Sequence, residues 1–65
     1  MTYKQINDKA VKALTHIEKS LPYLYKVVEA TSIESPEHII ASNIIKSIKE
    51  AQSDLTILKN RTKND

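Results

Sequence analysis

Apolar residues in the first half of the chain recur at intervals of three and four positions. Because an α-helix has 3.6 residues per turn, this spacing lines them up along one side of a helix. Further apolar residues widen the stripe, which is typical of a helix that packs in a bundle. The central line is Tyr3, Ala10, Leu14, Ile17, Leu21, Leu24 and Val28, interrupted by the polar Asn7, and its flanks are Ile6, Val11, Ala13, Tyr25 and Val27.

Pro22 lies inside this pattern, where it removes a backbone donor and crowds the carbonyl of Glu18. Two structures fit: one kinked helix over residues 2–31, or a break near Ser20 and a new helix from Pro22. The apolar line keeps its phase across the proline, and the chain has no Gly to supply a left-handed helix cap. Both features favour the kinked helix, whereas the break would give a small three-helix bundle.

A second helix is predicted from Ser35, Pro36 and Glu37, which supply a hydroxyl cap, a proline at the first helical position and an acid in the first turn. We expect a loop over residues 32–35, a helix over about 36–60 and a frayed tail over 61–65. The second apolar line is Ala41, Ile44, Ile48, Ala51, Leu55 and Leu58, with Ile40 and Ile45 at its sides.

The expected fold is therefore all-α, an antiparallel helical hairpin that forms a single domain over residues 1–65. At 1.5 Å per residue the two helices would be about 45 and 39 Å long. They are similar enough in length to pair from end to end.

A lone hairpin buries only one side of each helix, and a chain of 65 residues has little core to spare. Nine residues are Ile, however, and some lie away from the two apolar lines. We therefore expect a homodimer in which two hairpins form a four-helix bundle, with Asn7 able to fix the register of the assembly. The residues expected on the association face are Ile39, Ile40, Ile45 and Ile57.

Composition excludes several classes of protein. The chain has 40% hydrophobic and 28% charged residues but no Cys and no Gly, which rules out disulfide scaffolds, thiolate metal sites and glycine-built phosphate loops. The longest apolar run, Ile39-Ile40-Ala41, is far shorter than the roughly 20 residues that cross a bilayer. We expect a soluble, cytoplasmic protein without a signal segment.

His16 and Ser20 are four residues apart, the spacing of a base and a nucleophile on one helix face. That face has no carboxylate to orient the imidazole, and no glycine turn supplies donors for an oxyanion. Glu50 and Asp54 are one turn apart but have Lys46 nearby, as expected of a solvated surface. No catalytic residue is predicted, and the chain is not expected to be an enzyme.

Metal binding is also unsupported. Glu34, Glu37 and His38 are close in sequence, but Pro36 and the start of the helix separate them, and no two histidines have the spacing of metal ligands. His38 is expected to be an ordinary solvated residue. No metal or cofactor is predicted.

One group of polar residues stands out on the first helix. Its members follow one another in steps of three and four on the side opposite the apolar line, and no acidic residue interrupts them. Such a row suits an acidic protein surface or a phosphate backbone, although lysines also occupy any exposed helix face. The row, called the basic row below, is Lys9, Lys12, His16, Lys19, Tyr23 and Lys26.

The function expected from these features is that of a small non-enzymatic interaction module. It would act as a regulator, inhibitor or assembly factor by docking a helical face on a larger protein. The alternative is a nucleic-acid-binding regulator that uses the basic row, although a formal net charge of +2 is too small to require such a partner. No membrane and no small-molecule substrate is expected.

Overall fold

The protein is an all-α helical hairpin, as predicted. A computed structural model, which describes residues 1–63, has two helices, α1 (Tyr3–Ala30) and α2 (Pro36–Arg61), packed against each other. No strand occurs within those residues. The molecule measures 48 × 17 × 15 Å, so its length is that of one helix and its thickness that of a single layer.

Helix α1 begins with a capping box and continues without interruption through Pro22. The Thr2 hydroxyl accepts from the Gln5 backbone N–H, and the Gln5 side chain accepts in return from the Thr2 N–H. Pro22 and Glu18 are both exposed, so the Glu18 carbonyl that lacks a helical donor lies on the solvent side, where water can replace the lost bond. The break near Ser20 and the three-helix bundle are therefore wrong.

The turn between the helices is made without glycine, and no residue in 1–63 has a positive φ. Helix α1 ends at Ala30 and is capped by Thr31, whose backbone is extended and whose hydroxyl donates to the Val27 carbonyl over 2.7 Å. Helix α2 then starts with the predicted cap, because the Ser35 hydroxyl accepts from the His38 N–H over 3.2 Å and Pro36 occupies the first turn. The Thr31 and Ser35 hydroxyls thus cap the two helix ends at the turn, where a glycine is often found at the end of the first helix.

The predicted core line of α1 faces α2 along nearly its whole length. Ala10 and Leu14 are buried, and the other members are half-buried except for Tyr3, which is exposed. Tyr3 lies one turn beyond Asn7, the residue that contacts the end of α2, and therefore has no partner helix to pack on. The α1 residues that face α2 are Asn7, Ala10, Leu14, Ile17, Leu21, Leu24, Val28 and Thr31.

The core line of α2 differs from the prediction at three positions, where Ile45, Gln52 and Lys59 replace the expected Ile44, Ala51 and Leu58. Ile45, expected at the side, is buried with 9% of its surface exposed, whereas Ile44, expected in the core, is 42% exposed. Leu58 is likewise exposed at 41%. The α2 residues that face α1 are His38, Ala41, Ile45, Ile48, Gln52, Leu55, Lys59 and Thr62, which again follow steps of three and four.

Helix α2 extends slightly beyond its predicted end at about residue 60. Arg61 is the last helical residue, and Thr62 is buried, with its hydroxyl donating to the Leu58 carbonyl over 2.8 Å. Fraying of residues 61–65 stays a prediction, and Asn64 and Asp65, the last two residues of that segment, lie outside the described residues.

Candidate functional site

The basic row lies on the outer side of α1, away from α2. All six of its side chains are exposed. From Lys9 to Lys26 the row spans 17 residues, or about 26 Å of helix. No acidic residue lies within the row, because Glu18 and Glu29 occupy other sides of the helix and Asp8 precedes the row, one turn before Lys12. The row therefore extends along more than half of the hairpin without an acidic residue between its members.

The catalytic pair considered from sequence does not form. His16 is exposed, but Ser20 is half-buried and its hydroxyl donates to the Ile17 carbonyl over 2.6 Å. The Ser20 oxygen is thus engaged with the backbone of its own helix. Within residues 1–63 there is also no pocket beside it that would hold a substrate.

The acidic and histidine residues near the loop remain separate. Glu34 and Glu37 are exposed, whereas His38 turns inward. Glu50 and Asp54 are exposed on α2, and no group of three potential metal ligands occurs among the residues that the structure describes.

His38 is not the solvated residue expected from sequence. Its Nδ1 lies 3.1 Å from the Val28 carbonyl and 3.2 Å from the Thr31 hydroxyl. Since a carbonyl can only accept, Nδ1 carries the proton and donates to Val28, while the Thr31 hydroxyl donates to Val27. The ring therefore joins the start of α2 to the last turn of α1.

Asn7 makes the matching contact at the opposite end of the hairpin. Its side-chain amide donates to the Lys59 carbonyl over 2.6 Å and to the Thr62 hydroxyl over 3.3 Å. Both ends of the interface are thus closed by polar side chains that bond across the helices. Sequence analysis missed His38, Lys59 and Thr62 because it followed apolar residues only; extending the steps of three and four to polar residues would have found them.

The hairpin has two broad faces, one on each side of the line where the helices meet. One face is identified by Lys49, whose ammonium lies 5.9 Å from the centre of the Tyr25 ring. That contact puts the Tyr25 side of α1 and the Lys49 side of α2 on the same face. This mixed face consists of Val11, Glu18 and Tyr25 of α1 and Ser42, Lys49 and Thr56 of α2.

The opposite face carries no charge at the six corresponding positions, and we call it the neutral face. Its larger side chains, Val27, Ile44 and Leu58, are each 41–42% exposed, because one neighbouring helix covers only part of them. Charges border this face at both ends, where Glu37 continues the α2 row beside the loop and Lys9, five helical turns before Val27, lies on the same side of α1. The neutral face consists of Ala13, Ser20 and Val27 of α1 and Ile44, Ala51 and Leu58 of α2.

The four isoleucines expected on an association face do not form one surface. Ile45 is in the hairpin core and is not available to a partner. Ile39, Ile40 and Ile57 are exposed, but Ile39 and Ile57 lie on the outer side of α2, separated by Lys46 and Glu50. Ile44 and Leu58, which are predicted in the core, instead belong to the neutral face.

Comparison of the chain with protein-family models, with curated proteins and with solved structures finds no match. Among residues 1–63, neither helix combines enough length with enough apolar character to cross a lipid bilayer.

Proposed function

We propose that the chain is a small non-enzymatic interaction module that docks the basic row of α1 on an acidic surface of a larger protein. In that role it acts as a regulator, inhibitor or assembly factor of the protein that it binds. The observation that carries the proposal is the row itself, since six exposed side chains present four lysines along about 26 Å without an acidic residue between them.

The shape of the row supports a protein partner. An uninterrupted helix presents its cations at regular intervals, and complementary charges of this kind guide association and orient the two partners. Tyr23 adds an exposed aromatic ring in the middle of the charges, and aromatic residues are enriched in protein interfaces.

We further propose that two hairpins associate into a four-helix bundle. Among residues 1–63 of the single hairpin, only Ala10, Leu14, Ala41 and Ile45 are buried hydrophobic residues, and twelve large hydrophobic side chains remain exposed. A second hairpin would cover part of this apolar surface, as small helical proteins commonly do by oligomerising.

The docking proposal is tested by reversing charges on and off the row. Lys12→Glu with Lys19→Glu changes the row, while Lys4→Glu with Lys46→Glu changes the net charge equally at exposed positions outside it. Lys49 is unsuitable as a control because it contacts Tyr25. Each immobilised variant is exposed to nuclease-treated extract of the native host, and the bound proteins are quantified by mass spectrometry at low and high salt.

We expect the wild type and the Lys4/Lys46 variant to retain the same protein and the Lys12/Lys19 variant to lose it. Retention should also fall as salt rises, because exposed charges are screened. Equal retention by both double variants would overturn the proposal, since the basic row would then be only a solvated face.

Nucleic acid is the alternative partner, favoured by the same cations and by the position of Tyr23, which can stack on an unpaired base. Binding of a single-stranded RNA and of a duplex DNA, both of arbitrary sequence, is measured by fluorescence anisotropy. Phosphate contacts predict a log–log salt slope of about 0.9 per neutralised phosphate on B-form DNA. Loss of this binding in the Lys12/Lys19 variant alone would favour the alternative, and absence of binding at low salt would exclude it.

A further inference from the structure

We infer that the neutral face is the surface on which a second copy of this chain packs. The inference rests on the proposed four-helix bundle and goes further, because it assigns the association to one of the hairpin's two broad faces and to six residues. It also replaces the association face expected from the sequence, which consists of Ile39, Ile40, Ile45 and Ile57.

The accessible area of the hairpin is the first argument. The chain exposes 5128 Å², whereas a compact monomer of 7.4 kDa is expected to expose about 4,200 Å². The difference, about 900 Å², is close to the roughly 800 Å² that each partner buries in a standard protein interface. The Cα radius of gyration of the hairpin, 15.0 Å, likewise exceeds the roughly 11 Å of a compact domain of this length. One further layer of helices would bury part of this excess area.

The distribution of charge decides which face is covered. The mixed face has Glu18 and Lys49 near its middle, and both would lose water if a second hairpin packed there. The neutral face has only Ala, Ser, Val, Ile and Leu at its six positions, so its burial removes apolar area from water without a charge. A hydroxyl is present at Ser20, but it already donates to the Ile17 carbonyl.

A second copy of the chain suits this face because each partner would contribute the same surface to the interface. In a two-fold dimer the same surface occurs on both partners, so it must be complementary to itself. A face without charge meets that condition, since no like charges are brought together. The basic row lies on the outer side of α1 and stays exposed in the assembly, which leaves both of its copies free to bind a partner.

Glutamate substitutions at matched positions test the inference. Ile44→Glu with Leu58→Glu alters the neutral face, and Ile39→Glu with Ile57→Glu makes the same change of charge on the outer side of the same helix. All four side chains are 41–53% exposed in the hairpin, so both double variants are compatible with its fold. Mass is measured by sedimentation velocity, and helicity by circular dichroism at the same concentration.

We expect the wild type and the Ile39/Ile57 variant to sediment at twice the 7.4 kDa chain mass and the Ile44/Leu58 variant at the chain mass. A wild type at the chain mass would overturn the inference, as would dissociation of both variants or of the Ile39/Ile57 variant alone. Should the Ile44/Leu58 variant lose helicity, Val27→Glu decides: a helical monomer supports the inference and a dimer contradicts it. A monomeric wild type that still binds a protein through the basic row would overturn the four-helix bundle together with this inference and leave the proposed docking function intact.

Discussion

Asn7 and Lys59 are 52 residues apart in the sequence, and a hydrogen bond of 2.6 Å joins the side-chain amide of the first to the carbonyl of the second. The same amide is 3.3 Å from the Thr62 hydroxyl. A helix leaves its last carbonyls without helical donors, and here the Asn7 amide satisfies one of them at the end of α2. The bond also fixes how far α1 extends along α2, because a shift of one turn would leave the half-buried amide without its partners.

Replacing Asn7 with Ala removes this contact, and we expect the free energy of unfolding to fall by about 1 kcal/mol. For a chain of this size that corresponds to a melting temperature lower by about 4–8 °C. Asn43→Ala is the control, since Asn43 is exposed in the middle of α2 and its replacement should change stability by less than about 0.5 kcal/mol. Equal effects of the two substitutions in thermal melts would show that the Asn7 hydrogen bond does not stabilise the end of the hairpin opposite the loop.

The His38 ring is predicted to stabilise the loop end in the same way. His38→Ala removes the donor to the Val28 carbonyl, and we expect a loss of about 1 kcal/mol in urea unfolding. The second histidine provides a matched control, because His16 is exposed and His16→Ala should leave the midpoint almost unchanged. A His16 effect as large as that of His38 would contradict the contact described here.

Pro22 is predicted to cost stability. The helix is continuous through it, so Pro22→Ala restores a backbone donor and removes the crowding of the Glu18 carbonyl. Because proline also restricts the unfolded chain, we expect a net gain of about 2 kcal/mol rather than the full helical preference of about 3 kcal/mol. Pro36→Ala is the control, since proline is favoured in the first turn and its replacement should give no gain. A loss of stability in the Pro22 variant would show that the fold depends on the proline.

The hairpin itself was predictable because its strongest signals are local. The steps of three and four in α1 keep one phase from Ala10 to Val28, and Ser35 with Pro36 marks the start of α2 in sequence and structure alike. The absence of Gly correctly favoured a continuous α1. The exposure of the basic row also followed from periodicity, because residues opposite a buried line are on the outer side of a helix.

The core of α2 was harder to predict because Ile44 and Ile45 are adjacent. Counting only apolar residues favours the line through Ile44, Ala51 and Leu58, while the line that is buried passes through Ile45 and includes Gln52 and Lys59. A long side chain such as Lys59 can cover the interface with its stem and keep its ammonium in water. Which of the two lines is buried depends on the side chains of α1 that pack against α2. The periodicity of α2 alone carries no information about them.

That one-residue difference also moved the expected association surface. With Ile44 and Leu58 assigned to the core, the remaining isoleucines appeared to be the free apolar surface. Once Ile45 is in the core, Ile44 and Leu58 join Val27 on the neutral face. Two residues that occupy neighbouring positions in the sequence thus decide which side of the hairpin is apolar.

Small-angle X-ray scattering of the unmodified chain tests the central claim most directly, because it reports both mass and length. If two hairpins pack through their neutral faces, the scattering mass is twice 7.4 kDa and the longest dimension stays close to the 48 Å of one hairpin. A mass of 7.4 kDa at every concentration, or a dimer nearly twice as long as one hairpin, would contradict the side-by-side assembly.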